Sequence, residues 1–333
     1  MKIRELRILP PMAIGRLGSA AEPVDNYTVE DDPDDPLAFR TIVPGETLVV
    51  DDNSGEISEV RTPGTVTFKE GGAIKPVAPF LEVFAVTSRD KLVPLDLALL
   101  EKNGLTEADV KWRVAVANRK VERRTQDKSD IVSADTKWFS GHDSRQLKGH
   151  CRNFVTKESF IELGRVRYIK PSDAFPEIRL RFTPAKGLIY GPDVEPTEST
   201  DPSGEELYQV PLERRIYDHT KSWYGFQIPP EVSGGAAAPD GKEYNETLPP
   251  SLFAIQPPAP SWLNDNIAVS RGYLDDACDG IVEVKLTLPG GEELSAKARI
   301  TAAPPAVVPD ALFVRSLADD LDQILHGPQV TKS

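Results

Sequence analysis

The sequence predicts a mainly β protein, with sandwich-like antiparallel sheets, few short helices and long loops rich in proline and glycine. The 333 residues include 30 prolines and 23 glycines, and proline ends helices while sheets tolerate it only at edges and turns. Several runs also alternate apolar and polar residues, which is the pattern of half-buried strands. Both observations leave little of the chain for long helices.

The first candidate strands lie near the N-terminus. Residues 4–9 mix polar and apolar side chains in a strand-like pattern that a Pro-Pro pair ends. Residues 47–50 and 64–69 are further strand candidates, because the turn signal Asp-Asn-Ser-Gly at residues 52–55 lies between them.

A clearer unit follows in the middle of the chain. Residues 80–86 form an apolar, β-branched run that is typical of a buried strand. Residues 95–103 predict a short helix, which the Asn103-Gly104 pair would end. Residues 110–117 predict a half-buried strand, with four apolar side chains facing the core: Val110, Trp112, Val114 and Val116.

The strongest local signal comes late in the sequence. Residues 178–182 form another alternating strand. Residues 281–288 and 293–301 alternate in the same way and flank Pro-Gly-Gly-Glu at residues 289–292. This pattern predicts a β-hairpin.

Composition also predicts the domain organisation. Residues 193–206 are rich in Pro, Glu, Ser, Thr and Asp, as expected for a linker or a long surface loop. They would separate an N-terminal β domain, residues 1–192, from a second β-rich segment, residues 207–333. In that segment, helical spacing of apolar residues predicts a C-terminal helix over residues 316–326.

Charge and cysteine content exclude several classes of protein. Lys and Arg number 39 against 52 Asp and Glu, a net charge of −13, which argues against a nucleic-acid binder because phosphate contacts need clustered basic residues. No run approaches the length of about 18 apolar residues that a membrane span requires. The charged opening residues lack the apolar core of a signal peptide. Two cysteines cannot form a disulfide framework, and a cytoplasmic location is expected.

An acidic turn is the first candidate site. Asp275, Asp276 and Asp279 precede the predicted hairpin together with a cysteine, Cys278. Their oxygens could bind a hard cation such as calcium. The alternative, that these side chains accept hydrogen bonds from backbone N–H groups of a turn, is favoured because the calcium-loop spacing is absent.

Other clusters offer weaker candidates, and the sequence lacks nucleotide-binding and zinc motifs. The potential metal donors His142, His150 and Cys151 lie in a segment that reads as a cationic loop. Residues 140–143, Ser-Gly-His-Asp, contain triad residue types, but triads assemble from distant segments. Residues 31–35 form a second acidic cluster, interpreted as solvated. A basic patch could bind an anion or an acidic partner, although long side chains lying over the core are the commoner reading; it comprises Arg113, Arg119, Lys120, Arg123 and Arg124.

Three blocks in order along the chain resemble one family. The first, residues 3–20, contains a strand, a Pro-Pro pair and Ala-Ile-Gly-Arg-Leu-Gly-Ser-Ala. The second is residues 80–86 followed by Trp-Arg-Val-Ala-Val-Ala-Asn-Arg-Lys at 112–120. The third contains Gly-Tyr-Leu-Asp-Asp-Ala-Cys-Asp-Gly at 272–280 and Ala-Pro-Pro-Ala-Val-Val-Pro-Asp at 303–310. Together they resemble the β-rich N-terminal region of the L-lysine ε-oxidases, which are quinoprotein amino-acid oxidases.

The resemblance has direct implications for chemistry. In that family, the cysteine and tryptophan that mature into cysteine tryptophylquinone lie in a larger C-terminal region outside the matched blocks. No catalytic residue and no cofactor are therefore expected in this chain. By the same resemblance, Trp112 is a core residue and the acidic turn is structural.

Three functional hypotheses follow. The favoured one is a non-catalytic scaffold or interaction protein that binds a protein partner, for example a separate catalytic chain. Its oligomeric state is left open. The first alternative is an amine or amino-acid oxidase that releases hydrogen peroxide, with a quinone built from Cys278 and either Trp262 or Trp223. The second is an acidic cation-binding module that uses Asp275, Asp276 and Asp279.

Overall fold

A computed structural model describes most of the chain. The described residues are 2–34, 40–194, 208–221, 227–228, 268–269 and 272–304. Strands account for 48% of the structure and helices for 7%. The predicted mainly β class is confirmed.

The strands are short and numerous, as expected for a chain so rich in proline. The described strands in chain order are β1 Ile3–Leu9, β2 Met12–Arg16, β3 Tyr27–Glu30, β4 Thr41–Pro44, β5 Thr47–Val50, β6 Ile57–Arg61, β7 Lys69–Glu70, β8 Ala73–Ile74, β9 Phe80–Thr87, β10 Leu92–Pro94, β11 Val110–Asn118, β12 Val132–Asp135, β13 Arg145–Gly149, β14 Ile161–Tyr168, β15 Arg179–Thr183, β16 Ile189–Pro192, β17 Arg215–Tyr217, β18 Gln227–Ile228, β19 Ala268–Val269, β20 Leu274–Asp275, β21 Cys278–Thr287 and β22 Glu293–Ala303.

In the part of the chain that the structure describes, helices are limited to single turns. The described helices are α1 Leu97–Glu101 and α2 Glu122–Thr125, with 3₁₀ turns at Glu107–Asp109, Lys128–Asp130 and Leu212–Arg214. Within the described ranges, no helix has the length and apolar character needed to cross a membrane.

Two larger sheets pack face to face. Sheet A has the order β1-β9-β15-β14-β13, with β10 also paired to β9, and sheet B has the order β12-β11-β21-β22-β2. Their inner faces meet directly: the rings of Trp112 in sheet B and Tyr168 in sheet A lie 6.0 Å apart. Most pairings are antiparallel, but β2 runs parallel to β22. This arrangement is the predicted sandwich, with one parallel strand added at an edge.

The alternation in β11 explains its place in sheet B. Val110, Trp112, Val114 and Val116 are buried and join the core between the sheets. The intervening side chains face outward, since successive residues of a strand point to opposite faces. The strand predicted over residues 110–117 is confirmed.

The late hairpin is also confirmed. β21 and β22 pair antiparallel from Cys278 opposite Ala302 to Thr287 opposite Glu293. The backbone N–H of Leu288 donates to the carbonyl of Glu292 at 2.8 Å and closes the turn. A register shift of one residue would turn the apolar side chains of one strand to the opposite face, so burial of one face opposes it.

The predicted helix over residues 95–103 exists but is shorter. The Asp96 carboxylate accepts a hydrogen bond from the N–H of Leu99 at 2.7 Å and caps the start of α1. At the other end, the side-chain amide of Asn103 donates to the carbonyl of Leu99 at 2.8 Å. Gly104 then takes a left-handed conformation, with φ of 72°, which glycine adopts without steric cost.

The strand predicted over residues 64–69 is wrong, apart from Lys69 at the start of β7. The partner of β5 is β6, Ile57–Arg61, which begins directly after the predicted turn. The Asp51 carboxylate accepts hydrogen bonds from the N–H groups of Asn53 and Ser54 at 3.0 and 2.6 Å. These contacts reverse the chain at once, so the returning strand forms earlier than the apolar pattern suggested.

Strands from both sides of residues 193–206 share sheet B. β21 pairs with β11, and β22 pairs with β2. Most of the predicted linker lies outside the described residues, as does the helix predicted over residues 316–326. The domain boundary therefore stays a prediction.

Candidate functional site

The acidic turn connects β20 to β21 at one end of sheet B. Asp275 lies against the end of β11: its carboxylate is 2.6 Å from Nζ of Lys120. The side-chain amide of Asn118 donates to the Asp275 backbone carbonyl at 2.9 Å. The N–H of Ala277 donates to the Asp275 carboxylate at 3.3 Å. Asp275 thus fastens the turn to β11.

Asp276 faces the interior and has different partners. Only 1% of the residue is exposed, and its carboxyl oxygens accept hydrogen bonds from the N–H groups of Gly187 and Leu188 at 3.1 and 2.8 Å. Burial, with a contribution from the nearby charge of Asp275, raises the pKa of Asp276 to about 7, although the hydrogen bonds from Leu188 and Gly187 oppose this shift. This carboxyl group holds the segment before β16 in place.

Asp279 faces solvent on the opposite side of the strand. Its carboxylate accepts a hydrogen bond from Oγ1 of Thr301 at 2.8 Å and lies 3.8 Å from the guanidinium of Arg123. The three carboxyl groups of the turn therefore contact three different segments. Among the described residues, no group of three or more His, Cys, Asp or Glu side chains is placed to hold a metal ion.

Cys278, the cysteine of the quinone alternative, lies between the two sheets. Its Sγ atom donates to the carbonyl of Leu163 in sheet A at 3.3 Å. Burial, followed by the charge of Asp279, raises the pKa of the thiol well above its usual value. Both proposed partners, Trp262 and Trp223, lie outside the described residues, so the pairing stays a prediction.

The remaining metal candidates each bind a separate part of the backbone. Nδ1 of His142 lies 3.1 Å from the carbonyl of Tyr168, and Nδ1 of His150 lies 2.9 Å from the carbonyl of Ser159. Burial raises the pKa of the Cys151 thiol to about 12. These contacts hold the two imidazole rings against different segments of the chain.

The acidic cluster at residues 31–34 and the Ser-Gly-His-Asp segment at residues 140–143 both lie in loops. The backbone N–H of Asp34 donates to the carboxylate of Asp32 at 2.8 Å, and Asp31 lies 4.0 Å from Arg40. Asp35, the last member of the acidic cluster, lies outside the described residues. In residues 140–143, the His142 contact with the Tyr168 carbonyl occupies the Nδ1 atom that a triad carboxylate would need.

The predicted basic patch is matched by carboxylates of the chain. Arg113 lies 2.7 Å from Asp135 and 3.4 Å from Glu283, and it lowers the pKa of Asp135 strongly by hydrogen bonding. The other described pairs are Arg119 with Glu122, Lys120 with Asp275 and Arg123 with Asp279. The patch is therefore a set of ion pairs on sheet B, and nothing is described for the side chain of Arg124.

A different feature of sheet B was not predicted from the sequence. On its outer face, Met12, Ile14 and Ile281 are large apolar residues between 45% and 51% exposed. Met12 and Ile281 line a shallow groove of about 780 Å³. Strand alternation in β2 and β21 gives the outward direction of each residue, but only the pairing of both strands with β22 brings them together.

Sequence analysis also missed an arginine cluster on sheet A, formed by Arg165, Arg167 and Arg181. All three line one small cavity of about 90 Å³. The available signal was the Arg-x-Arg spacing at residues 165–167 and 179–181, which places both arginines of each pair on one strand face.

Comparisons with known proteins give a limited result. No family model and no curated protein matches the sequence. Among solved structures, the L-Lys epsilon-oxidase from Marinomonas mediterranea aligns with TM-scores of 0.44 and 0.45, and its Schiff base intermediate with L-Lys aligns with a TM-score of 0.42. Each alignment has 14% identity and covers 97% of this chain but 39% of the other. The present chain thus spans about two fifths of the length of these solved structures.

Proposed function

We propose that this chain is a non-catalytic interaction protein, related to the N-terminal region of the L-lysine ε-oxidases, that binds a separate protein chain. The observation that carries the proposal is the apolar outer face of sheet B. Scattered exposed apolar residues are ordinary on a protein surface, whereas a contiguous apolar patch with a polar rim is typical of a protein interface.

The register of sheet B brings the exposed apolar residues close together, with Arg299 between Met12 and Ile281. Met12 lies opposite Arg299, which lies opposite Ile281, which lies opposite Ala115. These four side chains form one row across four strands. Ile14 lies opposite Thr301 in the next outward row. An apolar surface of this kind gains free energy when a partner removes it from water.

Charge defines the partner's chemistry. Arg119 and Arg123 at the edge of the groove pair with Glu122 and Asp279, whereas Arg299 lies between Met12 and Ile281. A partner with apolar side chains and a carboxylate placed beside Arg299 would match the surface. The sequence blocks shared with the oxidases support a partner that carries the catalytic region on a separate chain. The cytoplasmic location is part of the same proposal.

The test uses variants of the outer face. Affinity capture from the source cells identifies a candidate partner, which is then purified and titrated by calorimetry. We expect the double change Ile14→Asp and Ile281→Asp to weaken binding by about tenfold or more, because each buries a charge in the apolar centre of the contact.

Leu92→Asp provides the matched control, since Leu92 is as exposed as Ile281 (both 45%) and lies on sheet A. The control should bind like the unmodified chain. Equal binding by the double variant, or equal loss in the control, would overturn the proposal for this face.

The oxidase alternative predicts a different set of measurements. A quinone built on Cys278 would change the intact mass by oxygen insertion and cross-linking, give a visible absorption band that amines bleach, and release peroxide with L-lysine or other amines. An intact mass equal to that of the sequence, without the band, is the result expected for the interaction protein.

A further inference from the structure

The arginine cluster lies on the outer face of sheet A. Arg167 is directly opposite Arg181, and Arg165 is opposite Thr183. Val166 and Phe182 are buried on the other face of the same two strands. Like charges that face each other across paired strands are unfavourable, so three arginines in this arrangement need compensation.

The chain itself compensates only part of this charge. Arg167 donates to the backbone carbonyls of Asp51 and Asp52 at 3.1 and 2.8 Å. The guanidinium of Arg181 lies over the ring of Phe80, 5.1 Å from its centroid. The buried Nε atom of Arg181 has no hydrogen-bond acceptor among the described residues. Leaving such a donor buried without an acceptor is costly.

Two adjoining cavities meet at Arg181. The smaller cavity, of about 90 Å³, is lined by all three arginines of the cluster and by Glu22 and Asp52. The larger, of about 460 Å³, has an apolar wall formed by Tyr27, Pro79 and Phe80. A ligand could therefore place a charged group among the arginines and an apolar body beside Phe80.

The charge of the small cavity selects the class of ligand. Its lining includes a fourth arginine, Arg61, whose charge is matched by Asp25 at 3.0 Å. The remaining three arginines face two carboxylates, Glu22 and Asp52, which leaves one positive charge. We propose that this cluster binds the carboxylate of a small organic monoanion whose apolar body occupies the adjoining cavity.

Electrostatics at Arg181 agrees with this geometry. Burial, together with the charges of Arg165 and Arg167, lowers the pKa of Arg181 to about 10 against the opposing effect of Asp52 and Glu22. A carboxylate would stabilise the charged guanidinium and can accept two parallel hydrogen bonds from it. This site is independent of the outer face of sheet B.

The test titrates the purified full chain with sodium benzoate, acetate and benzamide by calorimetry. Benzoate carries both the charge and the apolar body, acetate only the charge and benzamide only the body. We expect benzoate to bind more tightly than acetate and benzamide not to bind. Absence of benzoate binding, or equal affinity for benzoate and benzamide, would show that no anion site exists here.

Variants locate the site. Arg181→Met should weaken benzoate binding by about tenfold or more, the usual effect of losing a charge-assisted hydrogen bond. Arg165→Gln, at an exposed position, should weaken it by a smaller factor without affecting folding. Arg4→Gln, an exposed arginine elsewhere on sheet A, is the control and should bind like the unmodified chain. Undiminished binding by both cluster variants contradicts the assignment.

Discussion

Replacing Trp112 with alanine should lower the free energy of unfolding by about 3–5 kcal/mol, the range for large aromatic residues truncated in a core. Trp112 is fully buried. It exchanges backbone hydrogen bonds with Phe139 at 2.7 and 2.9 Å and packs against Tyr168 of the opposite sheet. Its loss opens a cavity between the sheets that the neighbouring strands cannot fill. Urea denaturation followed by circular dichroism measures the effect.

Trp138→Ala provides the comparison within the same chain. Trp138 is 40% exposed, and Nζ of Lys285 lies 4.8 Å from the centroid of its ring. Its removal should therefore lower the free energy of unfolding by about 1 kcal/mol or less. Equal destabilisation by the two substitutions would contradict a core role for Trp112.

The loss of the proton from the buried Asp276 carboxyl group should make the fold less stable as the pH rises. Its folded-state pKa of about 7 lies above its ordinary value of 3.8, so the folded state holds the proton more tightly. The resulting stabilisation is complete below the ordinary pKa and is lost as the pH rises through 7. Complete loss corresponds to about 4 kcal/mol.

Asp276→Asn isolates this contribution because asparagine keeps one oxygen to accept from Gly187 and Leu188 and does not titrate. Denaturant unfolding of both proteins at several values between about pH 4 and pH 8 is the measurement. The variant should gain stability relative to the unmodified chain as the pH rises. A relative loss would instead show that the two N–H donors favour the ionised carboxylate.

The sequence predicted the elements whose evidence is local. Strand β11 and the β21–β22 hairpin alternate over eight or more residues, so the pattern favours strands and decides which side chains face the core. The turn at residues 52–55 was also local, since Asp51 contacts the N–H groups two and three residues later. The prediction of a strand at residues 64–69 is wrong because an apolar pattern alone does not show where the chain reverses direction after a turn.

The candidate sites depend on contacts between distant residues. The basic patch reads as an exposed charge run until Lys120 is found beside Asp275, 155 positions away. Arg167 and Arg181 become neighbours only through the pairing of β14 with β15. Ile14 and Ile281 share a surface only because β2 and β21 lie on the two sides of β22. No local pattern encodes these pairings.

The parallel pairing of β2 with β22 has a consequence for synthesis. Met12 emerges from the ribosome long before its partner Arg299. Strand β11 is likewise synthesised long before its partner β21. Sheet B therefore closes only after nearly all of the described chain has been made. Contacts of such long sequence separation slow folding and leave apolar strand faces exposed meanwhile. We therefore expect the apolar faces of β2 and β11 to stay unpaired until late in synthesis.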